Sequence, residues 1–188
     1  TCALPISKDG KVIPALVQTS KQGFLYILDR KDGKLLRANK IARVNWAKRI
    51  DMETGVPELD PAAADISQGP KIIFPATPGA RNWFPGSYDA KTGLFYSAIQ
   101  DMGNLMFVPP GPKEHFKKGL NSDAALIFTP ILAGTMPTLP PPVVSAVKAL
   151  PAYKDAIANP GGTTLRALDP LTGKTVWSKP MAGWQDRG

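Results

Sequence analysis

LRALDPLTGKTVW, residues 165–177, contains the unit around which the whole chain is organised. A mostly apolar run ends at an aspartate, a glycine follows four positions later, and a second run begins directly after it. The aspartate carboxylate can accept hydrogen bonds from N–H groups of the turn. Glycine supplies the positive φ that closes such a turn. The unit therefore predicts a β-hairpin.

The same unit occurs three more times in the chain. Its aspartates are Asp29, Asp51, Asp89 and Asp169, so the intervals are 22, 38 and 80 residues. The middle interval is close to the ~40–45 residues of a four-stranded propeller blade, and the last is about twice as long. Four copies indicate a repeated, radially arranged sheet. The alternative is a set of unrelated hairpins in an all-β domain.

The composition favours many short strands. The 188 residues include 17 glycines and 20 prolines, and 43% are hydrophobic. These values allow a core and are typical of strands joined by turns. The sequence has no apolar run of about 18 residues that would predict a transmembrane helix, and no basic-apolar signal peptide at its start. Because it opens on Thr1, we expect a processed chain or a piece of a longer one.

Cysteine, histidine and charge restrict the classes of site. The single Cys2 permits no internal disulfide bond, and the single His115 argues against a self-contained zinc or copper site. The net charge of +8 resides in residues 1–50, which hold 11 basic and 3 acidic residues. Nucleic acid, an acidic partner or an anionic cofactor could exploit this asymmetry. The charges fall in turns between strands, which favours a solvated basic face.

The order of elements changes near residue 104. Strands are predicted at 12–19, 23–28, 34–38, 41–50, 71–74 and 94–99. The strand at 23–28 is apolar enough to be buried on both faces. Proline-rich residues 109–112 and 140–142 predict stiff, extended connectors. Residues 143–159 have near-helical apolar spacing, so we predict an insertion at about 104–160 with one or two short helices.

One loop is rich in side chains that are typical of recognition. Residues 78–86 read PGARNWFPG, so Arg81, Asn82 and Trp83 lie between two Pro-Gly pairs. This combination is more typical of a binding site than of a core segment. The alternative is a surface loop in which Trp83 folds inward as a plug, and the residues alone leave both open.

Four stretches, taken together, resemble one family. Residues 167–177 resemble a tryptophan-docking motif, and residues 21–30, KQGFLYILDR, resemble a segment in which a cation precedes glycine, an apolar run and Leu-Asp-Arg. Residues 79–96 resemble a Gly-x-x-Asn-Trp segment, and residues 184–188 the start of the next blade. The family is the quinoprotein alcohol dehydrogenases of the methanol and ethanol dehydrogenase type, which bind pyrroloquinoline quinone (PQQ).

The resemblance implies an all-β fold in which residues 1–188 are several blades of an eight-bladed β-propeller, interrupted by the proline-rich, partly helical insertion. Trp177 would pack between neighbouring blades, where alanine and glycine of the motif allow close approach. The chain would be the middle to late third of a periplasmic enzyme, which further segments could attach to a membrane. We expect this part to be inactive alone.

The resemblance also assigns three residues to the cofactor. Lys21 takes the place of a cation that contacts the quinone oxygens or carboxylates, and Asn82 that of an amide that hydrogen-bonds the cofactor. Trp83 lines the same pocket. PQQ carries carboxylates and an ortho-quinone, so a cation helps to polarise the reacting carbonyl and to hold the reduced form. No catalytic residue and no metal ligand is expected within this sequence.

The implied reaction oxidises an alcohol, polyol or sugar by hydride transfer to the quinone. A Ca²⁺ or lanthanide ion would polarise the quinone and an aspartate would take the alcohol proton, both from outside this sequence. Electrons would pass to a cytochrome or a membrane quinone. One alternative is a non-catalytic propeller scaffold for protein binding, which needs neither Lys21 nor the Asn82 loop. A nucleic-acid-binding β domain is a further alternative, and we expect no nucleic acid partner.

Overall fold

A computed structural model describes residues 2–8, 11–108 and 124–181. Antiparallel strands are the main regular structure of this backbone, which agrees with the predicted all-β class. The strands are β1 (Cys2–Lys8), β2 (Lys11–Thr19), β3 (Phe24–Asp29), β4 (Leu35–Lys40), β5 (Ala47–Ile50), β6 (Pro57–Leu59), β7 (Lys71–Ile73), β8 (Ser87–Asp89), β9 (Leu94–Gln100), β10 (Asn104–Phe107), β11 (Ala125–Phe128), β12 (Thr163–Leu168) and β13 (Thr175–Pro180). The α-helices are α1 (Pro61–Ala64), α2 (Thr129–Thr135), α3 (Pro141–Lys148) and α4 (Tyr153–Ala158).

The first sheet contains β1, β2, β3 and β4 in chain order. Leu25 and Ile27 of β3 are buried in the core that this sheet shares with the second four-stranded sheet. Phe24, on the opposite face of β3, packs with Ala47 and Ile50 of the β5–β6 hairpin. The prediction that this strand is buried on both faces is therefore confirmed.

The second sheet has the order β13-β12-β9-β8. Phe95 and Ile99 of β9 and Leu168 of β12 are fully buried against the first sheet. Alternate residues of β9 are buried, as expected for a strand with one face on the core. The chain leaves this sheet after β9 and returns to it only at β12, so one sheet is assembled from distant parts of the sequence.

A third sheet, of order β11-β10-β7, lies beneath the helices. Leu105 of β10 and Ile72 of β7 are paired neighbours and pack with Leu132 and Val147 of α2 and α3. The predicted strand at 71–74 is thus present, but it pairs with β10 from the predicted insertion. The helices predicted between 143 and 159 are present as α3 and α4. The sequence analysis missed α2, β10 and β11, because such short apolar runs show no clear period.

The four aspartate–glycine turns form as predicted. In each copy the glycine N–H donates to the aspartate carbonyl at 2.7–2.9 Å, and the aspartate Oδ1 accepts from the N–H two residues on. The φ angles of the four glycines lie between 71° and 76°, in the left-handed region that other residues avoid. The glycines are Gly33, Gly55, Gly93 and Gly173.

Two local predictions are wrong. Only Ala47–Ile50 of the strand predicted at 41–50 is extended. The Asn45 side chain instead bonds the backbone of Ile72 and Phe74, both at 2.8 Å, which fixes an irregular segment. At 140–142 the chain is not an extended connector, because Pro141 begins α3. Proline suits the first turn of a helix, where its missing N–H has no partner to lose.

Several features named from the sequence lie outside the described residues. They are the proline-rich connector at 109–112, His115 and the segment 184–188.

Candidate functional site

Lys21 lies in the tight turn between β2 and β3. The Ser20 N–H and hydroxyl both donate to the Phe24 carbonyl, at 3.0 and 3.1 Å, and the Gly23 N–H donates back to Ser20. Gly23 has a φ of 91°, and a Cβ atom there would lie 2.5 Å from Val44 Cγ2. The turn is therefore held by its own bonds and by the segment after β4, while Lys21 itself is exposed.

The loop predicted as a recognition loop lies directly against this turn. The Ala80 N–H donates to the Lys21 carbonyl at 2.9 Å, and the Gln100 N–H donates to the Ala80 carbonyl at 2.7 Å. A Cβ atom at Gly79 would lie 2.6 Å from Lys21 Cα. The segments that carry Lys21 and Asn82 are thus in backbone contact, and the first sheet, the loop and β9 are joined at this point.

Asn82 and Trp83 are presented at the surface of this loop. The Asn82 Nδ2 donates to the Pro78 carbonyl at 3.1 Å, which fixes the amide and leaves its oxygen for another donor. Trp83 is 88% exposed, so the alternative in which it plugs the core of the described chain is wrong. An exposed, flat indole can stack on a planar ligand.

Arg81 is a residue whose importance the sequence analysis missed. Its side chain is only 8% exposed. One guanidinium nitrogen donates to the Phe84 carbonyl at 2.8 Å, and another approaches the Thr19 carbonyl at 3.4 Å. No local sequence signal predicts this burial, because Phe84 lies in the same loop but Thr19 is 62 residues away and reaches Arg81 only in the folded chain.

A second polar cluster joins the helices to the two four-stranded sheets. Asp101, after β9, accepts from the backbone and Nε of Arg43 at 3.0 and 3.2 Å, and from Arg166 of β12 at 3.0 Å. The Arg43 guanidinium also reaches Asp155 and the Asn159 carbonyl of the α4 region. The cluster lines a cavity of about 680 Å³. Positive and negative charges balance within it, so it has the character of a structural network.

The charge state of Asp101 follows from these bonds. Burial alone would raise the pKa of its carboxyl, but the backbone N–H of Arg43 and the guanidinium groups of Arg166 and Arg43 together hold the pKa below the ordinary value of 3.8. A lowered pKa stabilises the fold fully above about pH 4, and the contribution is lost as the pH falls through the folded-state pKa.

Replacing Asp101 by asparagine should lower the free energy of unfolding by about 2 kcal/mol at pH 7, because Arg166 loses its counter-charge and Arg43 keeps only the exposed Asp155. The difference from the unaltered protein should shrink as the pH falls from about 4 through the lowered folded-state pKa, below which Asp101 is protonated in both states. Urea unfolding at a series of pH values measures both effects. Asp155→Asn is the matched control, because its carboxyl is 55% exposed and bonds Arg43 only at 3.3 Å. A pH-independent loss in the Asp101 variant would contradict the assignment.

Metal-binding clusters and membrane-spanning helices are both absent from the described part of the chain. Within 2–8, 11–108 and 124–181, no group of three or more His, Cys, Asp or Glu side chains could hold a metal ion. In the same residues, no helix has both the length and the apolar character needed to cross a membrane.

The residues of the tryptophan-docking motif lie at the edge of the second sheet. Gly173 is buried against Asn39 and Arg37 of β4, where a Cβ atom would collide with the asparagine side chain. Gly173 therefore lies in close contact with the first sheet. The Trp177 ring contacts Tyr96 of its own sheet, with centroids 5.8 Å apart. Packing of Trp177 between blades stays a prediction.

The curated relatives and structural neighbours are quinoprotein alcohol and methanol dehydrogenases, matched over part of their length, which confirms the family resemblance. No family model matches the sequence.

Among individual proteins, the chain is 30% identical to the quinoprotein alcohol dehydrogenase PedE of Pseudomonas putida over 179 residues, which are 90% of this chain and 24% of that protein. It is 36% identical over 94 residues to a lanthanide-dependent methanol dehydrogenase of Methylacidiphilum fumariolicum, 50% of this chain and 15% of that protein. The solved quinohemoprotein alcohol dehydrogenase ADHIIG of Pseudomonas putida HK5 superposes with a TM-score of 0.73 at 29% identity, over 95% of this chain and 24% of that one. The chain therefore spans between 15% and 24% of the length of these relatives.

Proposed function

We propose that this chain is part of a PQQ-dependent dehydrogenase that oxidises an alcohol, a polyol or a sugar, and that Lys21, Asn82 and Trp83 contribute to the quinone site. The observation that carries the proposal is the backbone contact between the Lys21 turn and the Asn82 loop. Two segments about sixty residues apart in sequence each supply a residue type that the cofactor needs, and they meet at one place. The dehydrogenase relatives favour this function over a non-catalytic scaffold.

The donor set fits an anionic, planar quinone. Lys21 is an exposed ammonium, the Asn82 amide nitrogen keeps a second N–H besides the one bonded to Pro78, and Trp83 exposes most of its ring. Arg81 adds a positive charge behind them, and its Nε is buried with no hydrogen-bond partner among the described residues. Carboxylates and quinone oxygens are acceptors, so a cation and an amide suit them, while the indole suits the flat ring system.

The residues of this chain act by holding charge and orientation. The bound quinone supplies the hydride acceptor of the reaction. Lys21 would donate to the quinone oxygens and so stabilise negative charge there. Asn82, fixed by its bond to Pro78, would hydrogen-bond the cofactor beside Lys21. Trp83 excludes water from one face, which strengthens both polar contacts.

The wider architecture belongs to the same proposal. Residues 1–188 form part of an eight-bladed β-propeller, and the excursion at about 104–160 is a proline-rich insertion. The metal, Ca²⁺ or a lanthanide, has its ligands elsewhere in the intact enzyme. That enzyme works in the periplasm, passes electrons to a cytochrome or a membrane quinone, and binds no nucleic acid. Similarity to a lanthanide-dependent methanol dehydrogenase supports the lanthanide alternative.

Reconstitution of the intact enzyme tests the function directly. The quinone-free protein, supplied with PQQ and with Ca²⁺ or a lanthanide, should reduce an artificial dye in the presence of a primary alcohol. Omission of PQQ is the control and should abolish dye reduction. The proposal would be overturned if the intact protein showed no PQQ binding in a fluorescence titration and no PQQ-dependent dye reduction.

A further inference from the structure

We infer that Arg81 is a positioning residue of the quinone site: its guanidinium fixes the separation between the Lys21 turn and the Asn82 loop. The inference rests on the function proposed above. Arg81 itself is assigned no contact with substrate or cofactor. It acts through the backbone on either side of the two binding residues.

The contacts of Arg81 connect the two segments symmetrically. One nitrogen approaches the carbonyl of Thr19, two residues before Lys21, at 3.4 Å. Another donates to the carbonyl of Phe84, two residues after Asn82, at 2.8 Å. A guanidinium is planar and rigid, so its two donors hold the two carbonyls in a defined relation. Lysine has the same charge on a single ammonium group, so it cannot hold both carbonyls in this planar arrangement.

The loop is anchored to the body of the protein at its two ends, at Ala80 and again at Gly86, where an added Cβ would collide with the Phe95 ring. Ala80 is tied to Lys21 and Gln100 through its backbone, but these bonds end before the recognition residues. Among the described residues, Asn82 bonds only within its own loop, and Trp83 is almost fully exposed. Arg81 is therefore the side chain that links β2 to residues 82–84 and fixes the distance between them.

The charge of Arg81 supports the same conclusion. Its side chain is buried, and in the part of the chain that the structure describes no carboxylate forms an ion pair with it. Burying a guanidinium without a counter-ion costs free energy that two carbonyls offset only in part. A buried, uncompensated cation raises the potential at the adjacent Lys21–Asn82 surface, where an anionic quinone gains from it.

The test uses the intact enzyme with Arg81→Lys and Arg81→Gln. PQQ fluorescence titration of the quinone-free protein gives the affinity, and steady-state dye reduction at saturating PQQ gives kcat and the KM for the alcohol. We expect Arg81→Lys to weaken PQQ binding about tenfold or more, as loss of a charged hydrogen bond does. Its kcat should fall about ten- to hundredfold, as small misplacements of reacting groups cause. The KM for the alcohol should stay unchanged.

The controls separate this inference from stability and from the proposed function. Arg49→Lys, an exposed arginine of β5, should leave all three quantities unchanged. Thermal unfolding of each quinone-free variant shows whether it is folded, and Arg81→Gln provides a second variant if Arg81→Lys is not. Unaltered PQQ affinity and kcat in a folded Arg81 variant overturn the inference. If Lys21→Ala loses activity in the same experiment, the proposed quinone site stands even though the Arg81 inference fails. If Lys21→Ala keeps its activity, the proposed quinone site and the Arg81 inference both fail.

Discussion

Lys21→Ala in the intact enzyme should reduce kcat by about a thousandfold, which makes dehydrogenase activity effectively undetectable. Removal of one preorganised donor at a site of developing charge costs on the order of 10²–10³ in kcat. Lys21 is held in a turn with two bonds from Ser20 to Phe24, so its ammonium is brought to the site by a rigid element. The measurement is steady-state dye reduction at saturating PQQ and alcohol.

Lys34→Ala is the matched control for this result. Lys34 is another exposed lysine of the same sheet, in the turn between β3 and β4. It should retain full activity, because that turn carries no residue of the proposed site. Activity of Lys21→Ala close to that of the control would instead remove Lys21 from the proposed quinone site.

Gly79→Ala should have the second large effect, on both stability and activity. Gly79 has a φ of 88°, and an added Cβ would lie 2.6 Å from the Cα and Cβ of Lys21. The strain at this φ and the displacement of the turn should together lower the free energy of unfolding by about 2–4 kcal/mol. Activity should fall with it, because the Lys21 turn must move to make room. Urea unfolding of the quinone-free enzyme and dye reduction measure the two effects.

Gly93→Ala separates the two contributions to this effect. Gly93 has a φ of 72°, but among the described residues no atom would lie within 4 Å of a Cβ added there. Its replacement should cost only the backbone strain, about 1 kcal/mol, and leave activity intact. If Gly79→Ala destabilises the protein no more than Gly93→Ala, the close contact with Lys21 has no energetic weight.

The features that the sequence predicts well are those that short stretches determine. Each aspartate–glycine turn carries its own acceptor and its own glycine, so its geometry requires nothing from the rest of the chain. The burial of β3 on both faces follows from an unbroken apolar run, FLYIL at 24–28. The Lys21 turn and the Asn82 loop are likewise recognisable from their own residues, although their roles at the quinone are still predictions.

The features that the sequence hides depend on distant partners. Arg43 and Asp101 are 58 residues apart, and nothing near either residue indicates the other. In the sequence, Arg81 is one polar residue among others in a recognition loop, because its partner Thr19 is 62 residues away. The strand predicted at 41–50 fails for the same reason, since Asn45 bonds to β7 and not to a neighbouring ladder. Pairing of β7 with β10 is equally non-local.

The excursion between β9 and β12 also affects how the polypeptide is made. When β9 leaves the ribosome, its neighbour β12 has not been synthesised, so Phe95 and Ile99 lack the partner strand that later covers this edge. An unpaired apolar edge invites association with other nascent chains until the third sheet and its helices have emerged. Early collapse of β10, β11 and α2–α4 around β7 would shorten the distance that β12 must search. The segment with β10, β11 and the helices would then shorten the time for which the edge of β9 is unpaired in the nascent chain.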